Sequence, residues 1–102
     1  MKIIFKEPDK PARTMVIPNE LYILQQLVDG YIEVVTLNNG LVAIVNEDGK
    51  LWGLKESGLY YKDDPLVGNV ILCGEDGDQF TDVPEDIAAV VDALNKLEEG
   101  TK

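Results

Sequence analysis

The sequence contains no histidine, a single cysteine (Cys73) and a single serine (Ser57). Without histidine it lacks the commonest general base, the commonest metal ligand and the ring of a hydrolytic triad. One cysteine excludes an internal disulfide, and with no imidazole to activate it Cys73 reads as a small buried side chain rather than a nucleophile. No glycine-rich phosphate-binding loop is present. No run approaches the ~18 apolar residues of a transmembrane helix. The first residues, MKIIFKEP, have neither the apolar core nor the cleavage site of a signal peptide. The expectation is a cytoplasmic, non-enzymatic protein without membrane segment, metal or cofactor.

Basic residues are also scarce. Nine Lys and Arg stand against 19 Asp and Glu, a net charge of −10. From Glu75 onward there are nine acids and two lysines. Direct binding to a nucleic-acid backbone needs clustered cations and is disfavoured on this balance. The acids read either as a solvated surface or as the complement of a basic protein surface, including one that normally holds DNA. For the second reading the candidates are Asp82, Glu85 and Asp86. Asp76-Gly77-Asp78 resembles the start of a calcium loop, but the twelfth position, where an EF-hand needs Glu, is Ile87. It reads as an exposed turn.

What the chain does contain is 45% hydrophobic residues over 102 positions, enough for a single domain with one modest core. Met1 to Glu7 and Arg13 to Ile17 read as two strands joined by a Pro-rich turn. Pro18 and Asn19 open a helix with Asn19 as N-cap, a stripe of Leu21, Leu24 and Val28 widened by Ile23 and Leu27, and Gly30 at the left-handed C′ position. Val67 to Cys73 reads as a strand, and Phe80 as the anchor of a short return strand. Residues 53–66 give little signal. Asp82-Val83-Pro84-Glu85 resembles a capping box. It introduces a second helix marked by Ile87, Val90, Val91, Leu94 and Leu97, with residues 98–102 frayed by acids at the negative helix end. The expected fold is α+β: a mainly antiparallel sheet of five to six strands with two helices packed on it. The apolar helix 20–28 is a candidate interface for a homo-oligomer.

The most informative stretch is GYIEVVTLNNGLVAIVNEDGKLWGL, Gly30 to Leu54. Asn39-Gly40 is a strong hairpin signal, and Asn46-Glu47-Asp48-Gly49-Lys50 reads as a second turn, giving three adjacent strands. A two-residue loop at 39–40 pairs Val35 with Ile44 and Glu33 with Asn46. The second turn pairs Asn46 with Lys50 and Ile44 with Trp52. Glu33, Asn46 and Lys50 then form a row across one face, flanked by Tyr31 and Trp52. One reading is structural: Asn46 stabilises its own turn while Glu33 and Lys50 form a surface ion pair. The other is a shallow ligand site, with Tyr31 and Trp52 for stacking, Lys50 for phosphate, and Glu33 and Asn46 for hydrogen bonds to a base or sugar.

At the same residues the chain resembles domain-of-unknown-function family 3846, small acidic proteins of phages, mobile elements and their bacterial hosts. The matching pieces are LQQLVDGYIEVV, VNEDGKLWGL and VGNVILCG, followed by an acidic turn and helix, over roughly residues 1 to 90. After Trp52-Gly53-Leu54 the family continues with Pro and an Asn-Arg pair, whereas Lys55, Glu56, Ser57 and Gly58 follow here. The resemblance implies a phage or mobile-element accessory protein active against host defence or regulation. The residues themselves point to the partner: either a small nucleotide-like ligand at the Gly30–Leu54 row or a basic host protein at the acidic surface.

Overall fold

The computed structural model describes residues 1–38 and 40–84. The expected second helix, with Glu85 and Asp86, lies outside the described residues, as does Asn39. The described elements, in chain order, are eight strands and one helix: β1 (Lys2–Lys6), β2 (Arg13–Val16), α1 (Leu21–Val28), β3 (Ile32–Asn38), β4 (Leu41–Asn46), β5 (Glu56–Tyr61), β6 (Asp64–Val67), β7 (Val70–Asp76) and β8 (Gln79–Thr81). The α+β class and the antiparallel sheet stand as expected. One helix is described rather than two. No described helix is long and apolar enough to cross a membrane.

The main sheet runs β2-β1-β7-β4-β3, with β8 paired to β7, and every pairing is antiparallel. The β5–β6 hairpin forms a second, two-stranded sheet. All of β4, LVAIVN, is buried, because both faces of the main sheet are covered. On one face Ile3, Phe5, Val42, Ile44, Ile71 and Cys73 pack with Leu24 and Val28 of α1. On the other, Ile4, Ala43, Val45 and Leu72 pack with Leu59 and Leu66 of the hairpin. An antiparallel strand usually leaves one face in water and alternates in polarity. The unbroken run LVAIV is the sequence counterpart of a strand covered twice.

Three expectations are corrected. The helix N-cap is Glu20, which makes no side-chain cap; Asn19 Nδ2 instead donates to the Phe80 carbonyl at 2.9 Å. The left-handed residue that ends α1 is Asp29, φ 61°, not Gly30. Residues 50–54 form no strand. They coil back through turn bonds, with the Trp52 N–H on the Asp48 carbonyl at 2.9 Å and the Leu54 N–H on the Gly49 carbonyl at 2.9 Å. The place expected for that strand, next to β4, belongs to β7.

The weakly patterned residues 53–66 supply the β5–β6 hairpin. Its turn, Lys62-Asp63, has positive φ at both positions, 51° and 65°. Those values fit a type I′ turn, normally written with Asn and Gly. Lys-Asp carries no such signature, which is why the hairpin is hidden in the sequence.

Candidate functional site

A bulge decides the geometry around Gly30 to Leu54. β3 and β4 pair Asn38 with Leu41, then shift register between Thr36 and Asn38, so that Val35 meets Ala43, Glu33 meets Val45 and Ile32 meets Asn46. The extra residue is Leu37, which is buried and whose carbonyl accepts the Tyr61 hydroxyl at 3.0 Å. One inserted residue moves every preceding side chain to the opposite face. Glu33 therefore shares the hairpin face with Val45, while Asn46 shares the helix face with Ile44. The expected cross-strand pairing of Glu33 with Asn46 and of Asn46 with Lys50 is not formed, although all three residues border one cleft.

Asn46 is buried, 3% exposed. Its Nδ2 donates to the carbonyls of Val28 at 3.0 Å and Asp29 at 3.2 Å, and its Oδ1 accepts the Asp48 N–H at 2.8 Å. The side chain thus opens the following turn, as the structural reading expects, and also caps the end of α1, which that reading did not include; the ion pair expected between Glu33 and Lys50 is replaced by one between Lys50 and Asp64. Asn69 Nδ2 takes the Leu27 carbonyl at 2.9 Å, and the Gly30 and Asp29 N–H groups take those of Gln25 and Gln26. All four terminal carbonyls of α1 are satisfied, as a helix end close to the core requires.

The expected residues are divided between two depressions. Glu33, Asn46 and Lys50 line a cleft of about 210 Å³ between the sheet and the hairpin, with Val45, Glu47, Asp64 and Leu66. Lys50 pairs there with Asp64; both side chains are 57% exposed. Tyr31 and Trp52 line a notch of about 270 Å³ at the C-terminal end of α1, with Gln25, Gly30 and Asp48. The two rings are 70% and 58% exposed. Trp52 also borders a neighbouring depression of about 210 Å³ that includes Asp29, Lys55 and Asn69, where Lys55 is ion-paired to Asp9.

The candidates for the acidic contact are only partly placed. Asp82 is engaged by the fold: its Oδ1 accepts the Lys2 N–H at 2.8 Å. Ser57 is buried and its hydroxyl accepts the Leu59 N–H at 3.1 Å. Cys73 is fully buried, and that burial, followed by the charge of Glu75, pushes its thiol from 9.0 up to about 12. Among the described residues no group of three or more Cys, Asp or Glu is placed to hold a metal.

Gln25 and Asp48 are site residues that the sequence did not single out. Gln25 stands on the polar side of α1 and Asp48 in an acidic turn, where each is indistinguishable from a solvated residue. The signal for the notch lay instead in Tyr31 and Trp52, two large rings in segments that the fold does not bury.

The sequence profile of the domain of unknown function DUF3846 matches residues 1–97. No curated protein and no solved structure matches the chain.

Proposed function

The chain belongs to the DUF3846 family, and we propose that it is a non-enzymatic binding protein of phage or mobile-element type that antagonises host defence by sequestering a small nucleotide-like ligand through its base. The observation that carries this reading is the notch at the end of α1. Tyr31 and Trp52, both more than half exposed, line it together with the Gln25 amide and the Asp48 carboxylate. Large rings left in water mark binding surfaces, and base–aromatic stacking contributes about 1–3 kcal/mol per base. The amide and carboxylate supply acceptors and a donor for the edge of a base.

The surrounding charge sets the ligand. Asp48 and Asp29 lie beside Trp52, and the cation there, Lys55, is paired with Asp9. This disfavours a multiply charged phosphate and favours a nucleoside or a ligand with one phosphate charge per base. Two stacking contacts and two hydrogen bonds of about 0.5–1.5 kcal/mol each correspond to affinities between roughly millimolar and micromolar.

Trp52 is the only tryptophan, so intrinsic fluorescence reports on the notch directly. Titration with adenosine, guanosine and their monophosphates and cyclic dinucleotides is expected to quench it saturably with at least one of them. Unchanged emission with every one of these up to millimolar concentration removes the proposal.

A second reading, an acidic module that occupies a basic host surface in place of DNA, draws support from the sheet–hairpin cleft, where Glu33, Glu47 and Asp64 outnumber Lys50. It predicts association that weakens steeply with salt.

A further inference from the structure

The β3 edge of the main sheet carries an inference that rests on the second reading above. β3 is the last strand of the order β2-β1-β7-β4-β3, and among the described residues it pairs only with β4. The Tyr31 carbonyl accepts the Glu47 N–H at 2.8 Å, so residues 31 and 47 form a hydrogen-bonded antiparallel pair. Such pairs alternate along the ladder. Glu33 and Val35 therefore bond to β4, while the N–H and C=O groups of Ile32, Val34 and Thr36 point away from it. These peptide groups offer a row of donors and acceptors at the spacing of a further strand.

Open edges of this kind are normally blunted by lysine, proline, shortness or a covering element. β3 is seven residues long, IEVVTLN, with no proline and no lysine. Its one charged side chain, Glu33, is exposed on the hairpin face and lines the acidic cleft with Glu47 and Asp64. Val34, on the opposite face, is 38% exposed.

We infer that β3 is a docking edge for an extended basic segment of a partner protein, which adds as a strand and lays alternate Lys or Arg side chains over Glu33 and the cleft. Main-chain bonds supply affinity in this mode and alternate side chains supply specificity. Residues between the cations face Val34 and are apolar, most favourably β-branched. A second copy of this chain is the poorer occupant: each copy carries −10, and edge-to-edge pairing brings two acidic cleft margins together.

The test uses the full chain and three synthetic peptides: an acetylated, amidated alternating Lys-Val heptapeptide, the same peptide with Glu for every Lys, and the Lys peptide with a central proline. Binding is read by calorimetry, and amide hydrogen exchange locates it. The Lys-Val peptide is expected to bind and to slow exchange at Ile32, Val34 and Thr36. The Glu and proline peptides are expected to bind at least tenfold more weakly. Glu33→Lys, an exposed change, is expected to lower affinity for the Lys peptide at least tenfold and raise it for the Glu peptide.

Three results overturn the inference: no binding of the Lys peptide at low salt, binding that leaves those three amides exchanging as in the free protein, and dimerisation without peptide that protects them. The second still upholds a general acidic contact, so failure of the edge is distinguishable from failure of the acidic-module reading.

Discussion

Asn46 reaches so far under the end of α1 that its Nδ2 lies 2.7 Å from where a Cβ on Gly30 would stand. Gly30 is therefore required for space rather than for backbone conformation; the left-handed residue is its neighbour Asp29. The two positions form one unit, and a double-mutant cycle exposes it. Gly30→Ala forces the amide aside and costs about 1–3 kcal/mol, in the range of overpacking. Asn46→Ala strands buried backbone groups and costs a further ~1–3 kcal/mol. With Asn46 gone the added methyl has room, so the double variant is less destabilised than the sum by ~1 kcal/mol or more. Additive urea-unfolding free energies would contradict the close approach.

This pair also shows what could be read from the chain and what could not. Alternation, helical spacing and turn residues located β1, β2, α1, β3, β4 and β8, because each carries its own local pattern; the strand expected over Val67 to Cys73 instead starts at Val70 and runs on to Asp76, with Val67 ending β6. Asn46 was legible as a turn residue, and its Oδ1 bond to the Asp48 N–H is local. Its two bonds to α1 span 17 and 18 residues, and no local pattern encodes them. The register failed at Leu37 for a related reason. The bulge is set by the burial of Leu37 and its Tyr61 contact, across a hairpin whose Lys62-Asp63 turn gives no signal. The bulge and the missing strand at residues 50–54 together leave Tyr31 and Trp52 in a different depression from Glu33, Asn46 and Lys50.

The Lys62-Asp63 turn itself offers a gain in stability. Both residues hold positive φ, a conformation that side chains with a Cβ resist. Replacing them together, Lys62→Asn and Asp63→Gly, supplies the residues that a type I′ turn prefers. The change forfeits the Lys62 contact with the Tyr61 ring, 5.3 Å to its centroid, an exposed cation–π contact of about 0.5–1 kcal/mol, together with the interaction that Asp63 makes. The net expectation is stabilisation of about 0.5–1 kcal/mol, seen as a rise of a few degrees in Tm. A fall in Tm would mean that the native side chains of this turn hold the hairpin more strongly than its backbone strain opposes it.

Cys73 gives the protein a pH dependence with a defined sign. Its thiol is pushed from 9.0 up to about 12 in the folded state, so between these values the unfolded chain releases a proton that the folded one keeps. Stability from this group is complete below pH 9 and is lost as pH rises toward 12, at up to ~1.4 kcal/mol per pH unit. Lysines and tyrosines titrate in the same range, so the measurable quantity is a difference. The stability gap between the wild type and Cys73→Ala, taken from urea midpoints, is expected to narrow from pH 8.5 to pH 10.5. A gap independent of pH would show that the thiol is not shielded. The same burial predicts that a thiol reagent modifies Cys73 only as fast as the protein unfolds.

The division of the expected site makes the ligand proposal sensitive to which residues are changed. If one face carried Tyr31, Glu33, Asn46, Lys50 and Trp52 together, removing Lys50 would weaken a nucleotide as much as removing a ring. In the structure Lys50 pairs with Asp64 in a different cleft. Lys50→Ala is therefore expected to leave nucleoside affinity unchanged and to cost at most ~1 kcal/mol of stability, as exposed pairs do. Tyr31→Ala and Trp52→Phe touch the notch. The first is expected to weaken binding about tenfold or more, equivalent to ~1–3 kcal/mol of stacking, with little change in stability because the ring is 70% exposed. The second abolishes the fluorescence signal and is measured instead by calorimetry, with a smaller loss because a phenyl ring still stacks. Equal losses from Lys50→Ala and Tyr31→Ala would place the ligand across both depressions and refute the notch as a separate site. Losses confined to Tyr31 and Trp52 would assign recognition to the end of α1, where Asn46 holds the helix terminus and the turn that carries Asp48 in a fixed relation.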